Sequence, residues 1–174
     1  MIHIDFNIFF DMMDYTIKLF VPLGTQKFPF NRLVKALNGL VSSGIYAPQE
    51  IVMQSTIYEE KPLFTHHEII PLEVFNSYLD NAEVIITHSG VNSIISTMNR
   101  QKPLVVVPRM KKYGEHVDDH QIEIADLMKD KFKVLVCYDM DDLECLVRKA
   151  KIHKYNSWVS KRDGLISALR KVIE

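Results

Sequence analysis

The chain has 174 residues, 47% of them hydrophobic and 25% charged, with a formal net charge of −1. That length suits one domain whose own core suffices, without a disulfide or metal staple, and the near-zero charge argues against a nucleic-acid partner. Two cysteines, Cys137 and Cys145, lie outside any CxxC spacing and read as reduced thiols.

Residues 1–15, MIHIDFNIFFDMMDY, are apolar in patches but carry Asp5, Asp11 and Asp14 and lack a basic leader. They read as a peripheral N-terminal extension rather than a secretory signal, with Met12 or Met13 as a possible true start and an extra strand or docking segment as the other reading. No apolar run approaches the roughly 20 residues that span a bilayer. From Thr16 onward, strand-like and helix-like segments alternate, the pattern of a parallel sheet covered by helices.

The first predicted strand is Ile17 to Pro22, ended by Leu23-Gly24-Thr25. A helix follows from about Pro29 to Ser42, with Leu33, Leu37, Leu40 and Val41 on one stripe and Gly44 as its stop. Strands are expected over Glu50 to Gln54 and near Thr65 to Ile70, then a helix from Pro71 to about Asn81. Val84-Ile85-Ile86-Thr87 and Leu104 to Pro108 are short continuous apolar runs, typical of strands buried on both faces. Between them, His88-Ser89-Gly90 turns into a helix from about Val91 to Arg100. A helix from about Val117 to Lys129 and a strand from Lys133 to Cys137 follow. Residues 141–174 read as two helices interrupted near Lys154 to Ser157, so that 16–150 forms a Rossmann-like domain and 151–174 a C-terminal helix packing on it or on a partner.

In such sheets ligands sit at the carboxyl ends of the strands, and three loops there are unusually polar. Gly24-Thr25-Gln26-Lys27-Phe28 allows close backbone approach to a ligand, although a glycine after a strand is common in α/β proteins. His88-Ser89-Gly90-Val91-Asn92-Ser93 joins a buried strand to a helix N-terminus. Its N–H groups, the Asn92 amide, the Ser93 hydroxyl and His88 suit a diphosphate, while Asn92 or Ser93 as a plain N-cap explains them equally well. The third loop runs from Arg109 to Gln121: its cations suit a diphosphate, and Asp119, His120 and Gln121 suit sugar hydroxyls. Glu115, His116, Asp118, Asp119 and His120 could form a metal cluster, but no spaced partner elsewhere completes a recognisable site, so no metal is expected. Asp118 reads as a pure helix cap.

The blocks "GTQKFPFNRL", "ITHSGVNS" and "KPLVVVPRMKKYGEHVDDHQIEIA" resemble, in this order, the C-terminal-domain-only branch of glycosyltransferase family 28. That branch includes the catalytic small subunit of the dolichol-linked N-acetylglucosaminyltransferase and bacterial exopolysaccharide and capsule β-1,4-galactosyltransferase subunits. The resemblance covers about Thr16 to Val147 and implies an α/β, Rossmann-like C-terminal half of a GT-B enzyme. It implies an inverting hexosyltransferase using a UDP-sugar as donor substrate, with no metal or other cofactor. It also implies a membrane-anchored partner subunit that supplies the acceptor-binding half, a lipid-linked saccharide acceptor, and a cytoplasmic location at the inner face of the plasma membrane through that partner.

By this likeness His88, Asn92 and Ser93 contact the diphosphate, and Gln121, with His120, meets the hexose. Gly24, Thr25, Gln26, Ser89, Gly90 and Arg109 complete the expected donor set. His116 and Glu115 join His88 as catalytic candidates, either one a possible general base unless the partner supplies it. Relatives carry Glu or Asp where this chain has Ser96, three residues after Ser93, so the ribose contact is neutral and weaker by about 1 kcal/mol. Galactose is the favoured sugar, ahead of N-acetylglucosamine and glucose. The alternative is a non-catalytic UDP-sugar-binding or activator subunit, for which Ser96 is the best support.

Overall fold

The computed structural model describes residues 16–56 and 59–158. Six strands form one parallel sheet: β1 (Leu19–Pro22), β2 (Ile51–Gln54), β3 (Thr65–His67), β4 (Val84–Thr87), β5 (Leu104–Val106) and β6 (Leu135–Val136). Their spatial order is β3-β2-β1-β4-β5-β6, so the chain reverses its direction of travel at β1 and β4. The helices are α1 (Asn31–Ser42), α2 (Leu72–Asn81), α3 (Val91–Asn99), α4 (His120–Phe132) and α5 (Leu143–Ala150).

Alternation along the strands explains why they read as unbroken apolar runs. Leu19, Val21, Ile51, Met53, Val84, Ile86 and Val105 enter one core, shared with Leu33 and Leu37 of α1 and with Leu143 and Val147 of α5. Phe20, Val52, Ile85, Leu104 and Val106 enter the opposite core, with Leu79 of α2, Ile94 and Met98 of α3, and Ala125 and Met128 of α4. Both faces are covered, so both registers are apolar along most of their length, and the polar Gln54 and Thr87 fall at the carboxyl ends of β2 and β4, where each is hydrogen-bonded. At the reversal point the buried Thr87 hydroxyl donates to the Pro22 carbonyl (2.9 Å), fastening the ends of β1 and β4 together.

Element boundaries depart from expectation mainly at α4, which starts at His120 and ends at Phe132. Before that start Asp118 accepts from the His120 N–H, an Asx-type turn, and Asp119 accepts from the Lys111 N–H of the preceding loop, so both carboxylates hold a turn ahead of the helix. Its end is set by Lys133, which takes φ 60°, a left-handed stop that glycine usually supplies. Gly44 closes the end of α1 as expected, at φ 73°. Trp158 packs on Phe132 with ring centroids 5.3 Å apart, so the domain itself receives this residue. Residues 1–15 and the rest of the expected C-terminal stripe, Leu165, Ile166 and Leu169, lie outside the described residues.

Candidate functional site

The loops after β1, β4 and β5 converge where the strand order reverses, the place where open parallel sheets hold their ligands. Gly24 sits at φ 68°, a conformation costly for any other residue. A Cβ there would lie 3.4 Å from His88 Nε2. Gly90 has an ordinary backbone, but an added Cβ would lie 2.3 Å from His88 Cε1. The two glycines thus make the slot that the imidazole fills. Thr25, Gln26 and Lys27 are exposed beyond it.

His88 is only 8% exposed. Burial first, and then the nearby Arg109 guanidinium, push its pKa down to about 4, so the folded ring is neutral at pH 7. An unfolded histidine titrates near 6.5, so unfolding takes up a proton between these two values. The contribution is therefore fully present above about pH 6.5 and should be lost progressively as the pH falls towards about 4, at a cost of up to about 3 kcal/mol. Urea unfolding at around pH 7 and around pH 4.5 checks this. A His88→Gln chain should lose less stability on acidification, and an equal loss in both proteins would acquit His88.

Helix α3 begins immediately after Gly90, with no side-chain cap and no acidic residue in its first turn. Its N-terminal N–H groups are therefore open to an anion. Asn92 is exposed there and Ser93 half-buried. A cavity of about 230 Å³ lies beside them, lined by the apolar Pro22 and Phe75 and by the polar Asn92, Ser93 and Ser96. The Ser96 hydroxyl accepts from Arg100 Nη1 (2.8 Å), which leaves its own O–H free to donate.

The third loop is divided between scaffold and open chemistry. Glu115 is 2% exposed, and both its oxygens bind Arg32 Nε (2.8 and 3.0 Å), while Oε2 also accepts from the Met110 N–H. Its carboxylate is fully engaged in holding the loop, which places it outside the catalytic part expected for it. Arg109 is likewise interior, 1% exposed: Nη1 donates to the Phe28 carbonyl (2.7 Å) and the guanidinium lies 4.6 Å from the Phe30 ring centroid. It ties the β1 loop to the β5 loop. Burial lowers its pKa to about 10, so it stays cationic beside His88. Arg109 Nε and the Ser89 hydroxyl are buried without a hydrogen-bond partner among the described residues.

His116 remains partly open. Its Nδ1 lies 2.9 Å from Asp118 Oδ1, and its ring flanks Phe28 at 6.1 Å. Asp118 therefore does more than cap α4, since its carboxylate also orients an imidazole. His120 is exposed and paired with Glu123 (3.0 Å) on the outer face of the first turn of α4. Gln121 is 5% exposed: its Oε1 accepts from the Ser89 N–H (3.2 Å) and the Arg109 N–H (3.1 Å), and its Nε2 lies 3.4 Å from His88 Nδ1. These contacts engage Gln121 within the protein, between the loops after β4 and β5. No group of three or more His, Cys, Asp or Glu residues suited to a metal ion occurs among the described residues.

Sequence reasoning missed Arg32. Besides Glu115, it donates to the carbonyls of Pro108 and Tyr138, so one residue of α1 fixes the loops after both β5 and β6. Its position within "GTQKFPFNRL" was the only available hint.

The family described as "Glycosyltransferase family 28 C-terminal domain" matches residues 18–156. The UDP-N-acetylglucosamine transferase subunit ALG13 of Candida albicans is 32% identical over 92 residues, 53% of this chain and 30% of that protein. The protein of the same name from Yarrowia lipolytica is 29% identical over 96 residues, 55% of this chain and 46% of that one. The matched stretches therefore span less than half the length of these curated relatives. Among solved structures, an NMR structure of ALG13 superposes with TM-score 0.53 at 17% identity, covering 90% of this chain and 96% of that one. Spinosyn forosaminyltransferase SpnP superposes with TM-score 0.52 at 18% identity, covering 82% of this chain and 37% of that one. At such identities the superpositions speak for the fold.

Proposed function

The chain belongs to the glycosyltransferase family 28 C-terminal domain family, and on that premise we propose that it holds the UDP-sugar donor as one subunit of a two-subunit glycosyltransferase. The observation that carries this reading is the slot between Gly24 and Gly90, which sets a neutral His88 beside the uncapped N-terminus of α3. Helix N–H groups and an imidazole N–H can bind a diphosphate and stabilise the charge it gains on departure, without a metal ion being required. The adjacent cavity, whose lining includes the Phe75 ring and Ser96, suits a nucleoside.

The names of the relatives, UDP-N-acetylglucosamine transferase subunits, favour N-acetylglucosamine over the galactose expected from the sequence. The reaction we envisage is a direct, inverting displacement. The acceptor oxygen bonds to the anomeric carbon as the bond to the diphosphate breaks, and the electron pair leaves with UDP. His116 is the candidate to take the acceptor proton, because pairing of Nδ1 with Asp118 leaves Nε2 as the basic nitrogen. A membrane-anchored partner would present the lipid-linked acceptor, at the inner face of the membrane and in an exopolysaccharide or capsule setting. Among the described residues no helix is long and apolar enough to cross a membrane.

Saturation-transfer NMR of the purified chain with UDP, UDP-N-acetylglucosamine and UDP-galactose tests the donor site. Uridine protons should be saturated, and a combined His88→Ala, Asn92→Ala chain should abolish the effect. No saturation with any uridine ligand, alone or with the partner added, would sink the proposal. With the partner and acceptor present, His116→Ala should depress transfer while leaving UDP binding intact. Unchanged transfer would move the base to the partner.

A further inference from the structure

We propose that Gln121 is a positioning residue that acts through His88, holding the imidazole as the tautomer with its proton on Nε2. This rests on the donor-site reading above only for the purpose of that proton. The tautomer itself follows from the hydrogen bonds. The Gln121 amide can be oriented in two ways, and its surroundings select one. Two backbone N–H groups, of Ser89 and Arg109, converge on one terminal atom at 3.2 and 3.1 Å. Both are donors, so that atom must be the carbonyl oxygen. A flipped amide would set N–H against N–H and leave two buried donors unsatisfied.

With the oxygen fixed, the amide NH2 has to be the group facing His88 Nδ1 at 3.4 Å. A donor there requires Nδ1 to be the unprotonated nitrogen, which places the ring proton on Nε2. Nε2 is the nitrogen nearest Gly24, where an added Cβ would lie 3.4 Å from it, so the bare glycine keeps that nitrogen uncovered. The imidazole therefore presents a donor to the crevice, as an anionic leaving group requires, and does so while neutral. The same amide oxygen joins the β4 loop to the β5 loop, so Gln121 sets both the loop spacing and the sense of the His88 hydrogen bond. This arrangement assigns Gln121 a task different from a direct contact with the hexose.

Gln121→Glu separates the two roles. A carboxylate keeps an oxygen for the Ser89 and Arg109 N–H groups but offers His88 an acceptor in place of a donor. Long-range 1H–15N spectra of the full chain with labelled imidazoles, His88 being assigned through His88→Gln, read the tautomer directly. The wild-type chain should show Nδ1 unprotonated and Nε2 protonated, and Gln121→Glu should place a proton on Nδ1. UDP and UDP-N-acetylglucosamine affinities should fall together, by about tenfold or more, with their ratio unchanged. A wild-type His88 carrying its proton on Nδ1 would overturn the inference, as would a fall confined to the sugar nucleotide. Gln121→Met, which keeps the volume and loses all three hydrogen bonds, serves if the carboxylate disturbs folding: it should also lower both affinities together. Should the wild-type chain bind no UDP, alone or with the partner added, the donor-site reading fails, while the wild-type tautomer still decides the present one.

Discussion

Arg32→Ala should destabilise the domain by about 3–5 kcal/mol, the range for removing one member of a buried ion pair. The Arg32 side chain is 14% exposed and that of Glu115 2%, so solvent screens the pair little. Without the guanidinium, the Glu115 carboxylate faces burial that pushes its pKa up, with only the Met110 N–H and the more distant Arg109 to stabilise its charge. The Pro108 and Tyr138 carbonyls lose a donor in the same step. For a chain of this length the loss corresponds to a fall in Tm of roughly 10 °C or more. Thermal and urea unfolding of the variant provide the measurement. A double variant, Arg32→Met with Glu115→Leu, should recover a large part of the loss, because an apolar pair replaces a buried ionic one at little cost. A single-variant loss below about 1 kcal/mol would show that the loops are held by other contacts.

His88→Ala should lower glycosyl transfer by the full complex about 100-fold or more, the usual effect of deleting one donor to a developing oxyanion. The ring fits between both glycines of its slot and faces Gln121 of α4, so its loss opens a small void and removes that one side-chain contact while leaving the strand pairing untouched. The backbone 1H–15N spectrum should therefore stay folded, and the change should appear chiefly in kcat. Turnover within a few-fold of wild type would remove His88 from the mechanism and leave the α3 N-terminus as the chief anion site. The same variant should also lack the acid-side stability loss attributed to the buried imidazole, which links the two measurements through one residue.

The sheet was legible because its signal is local. Val84 to Ile86 and Leu104 to Val106 alternate between two apolar cores, so each reads as a short unbroken hydrophobic run. The sites of turning were legible too, since Gly24 and Gly44 adopt backbone conformations that few other residues accept. The start of α4 was not, because Asp118 and Asp119 can either lie within a first helical turn or hold a turn ahead of it, and contacts to His120 and Lys111 decide between these uses. Nor was its end, where Lys133 takes a conformation that its side chain does not announce.

The candidate site divides in the same way. Residue order alone shows that His88, Gly90 and Ser93 follow a buried strand and open a helix, and that Arg109, Glu115, His116 and Gln121 lie close together in the chain. Long-range packing then selects which of these are available for chemistry. Arg32 lies 83 positions from Glu115, Gln121 lies 33 from His88, and Arg109 lies 81 from Phe28. Those contacts turn a carboxylate into a brace, an amide into a guide for an imidazole and a guanidinium into a tie between loops. Residue type and spacing state which hydrogen bonds a side chain can make. Burial and distant partners determine which it does make, because a polar group shut away from water must be satisfied by whatever the fold places beside it.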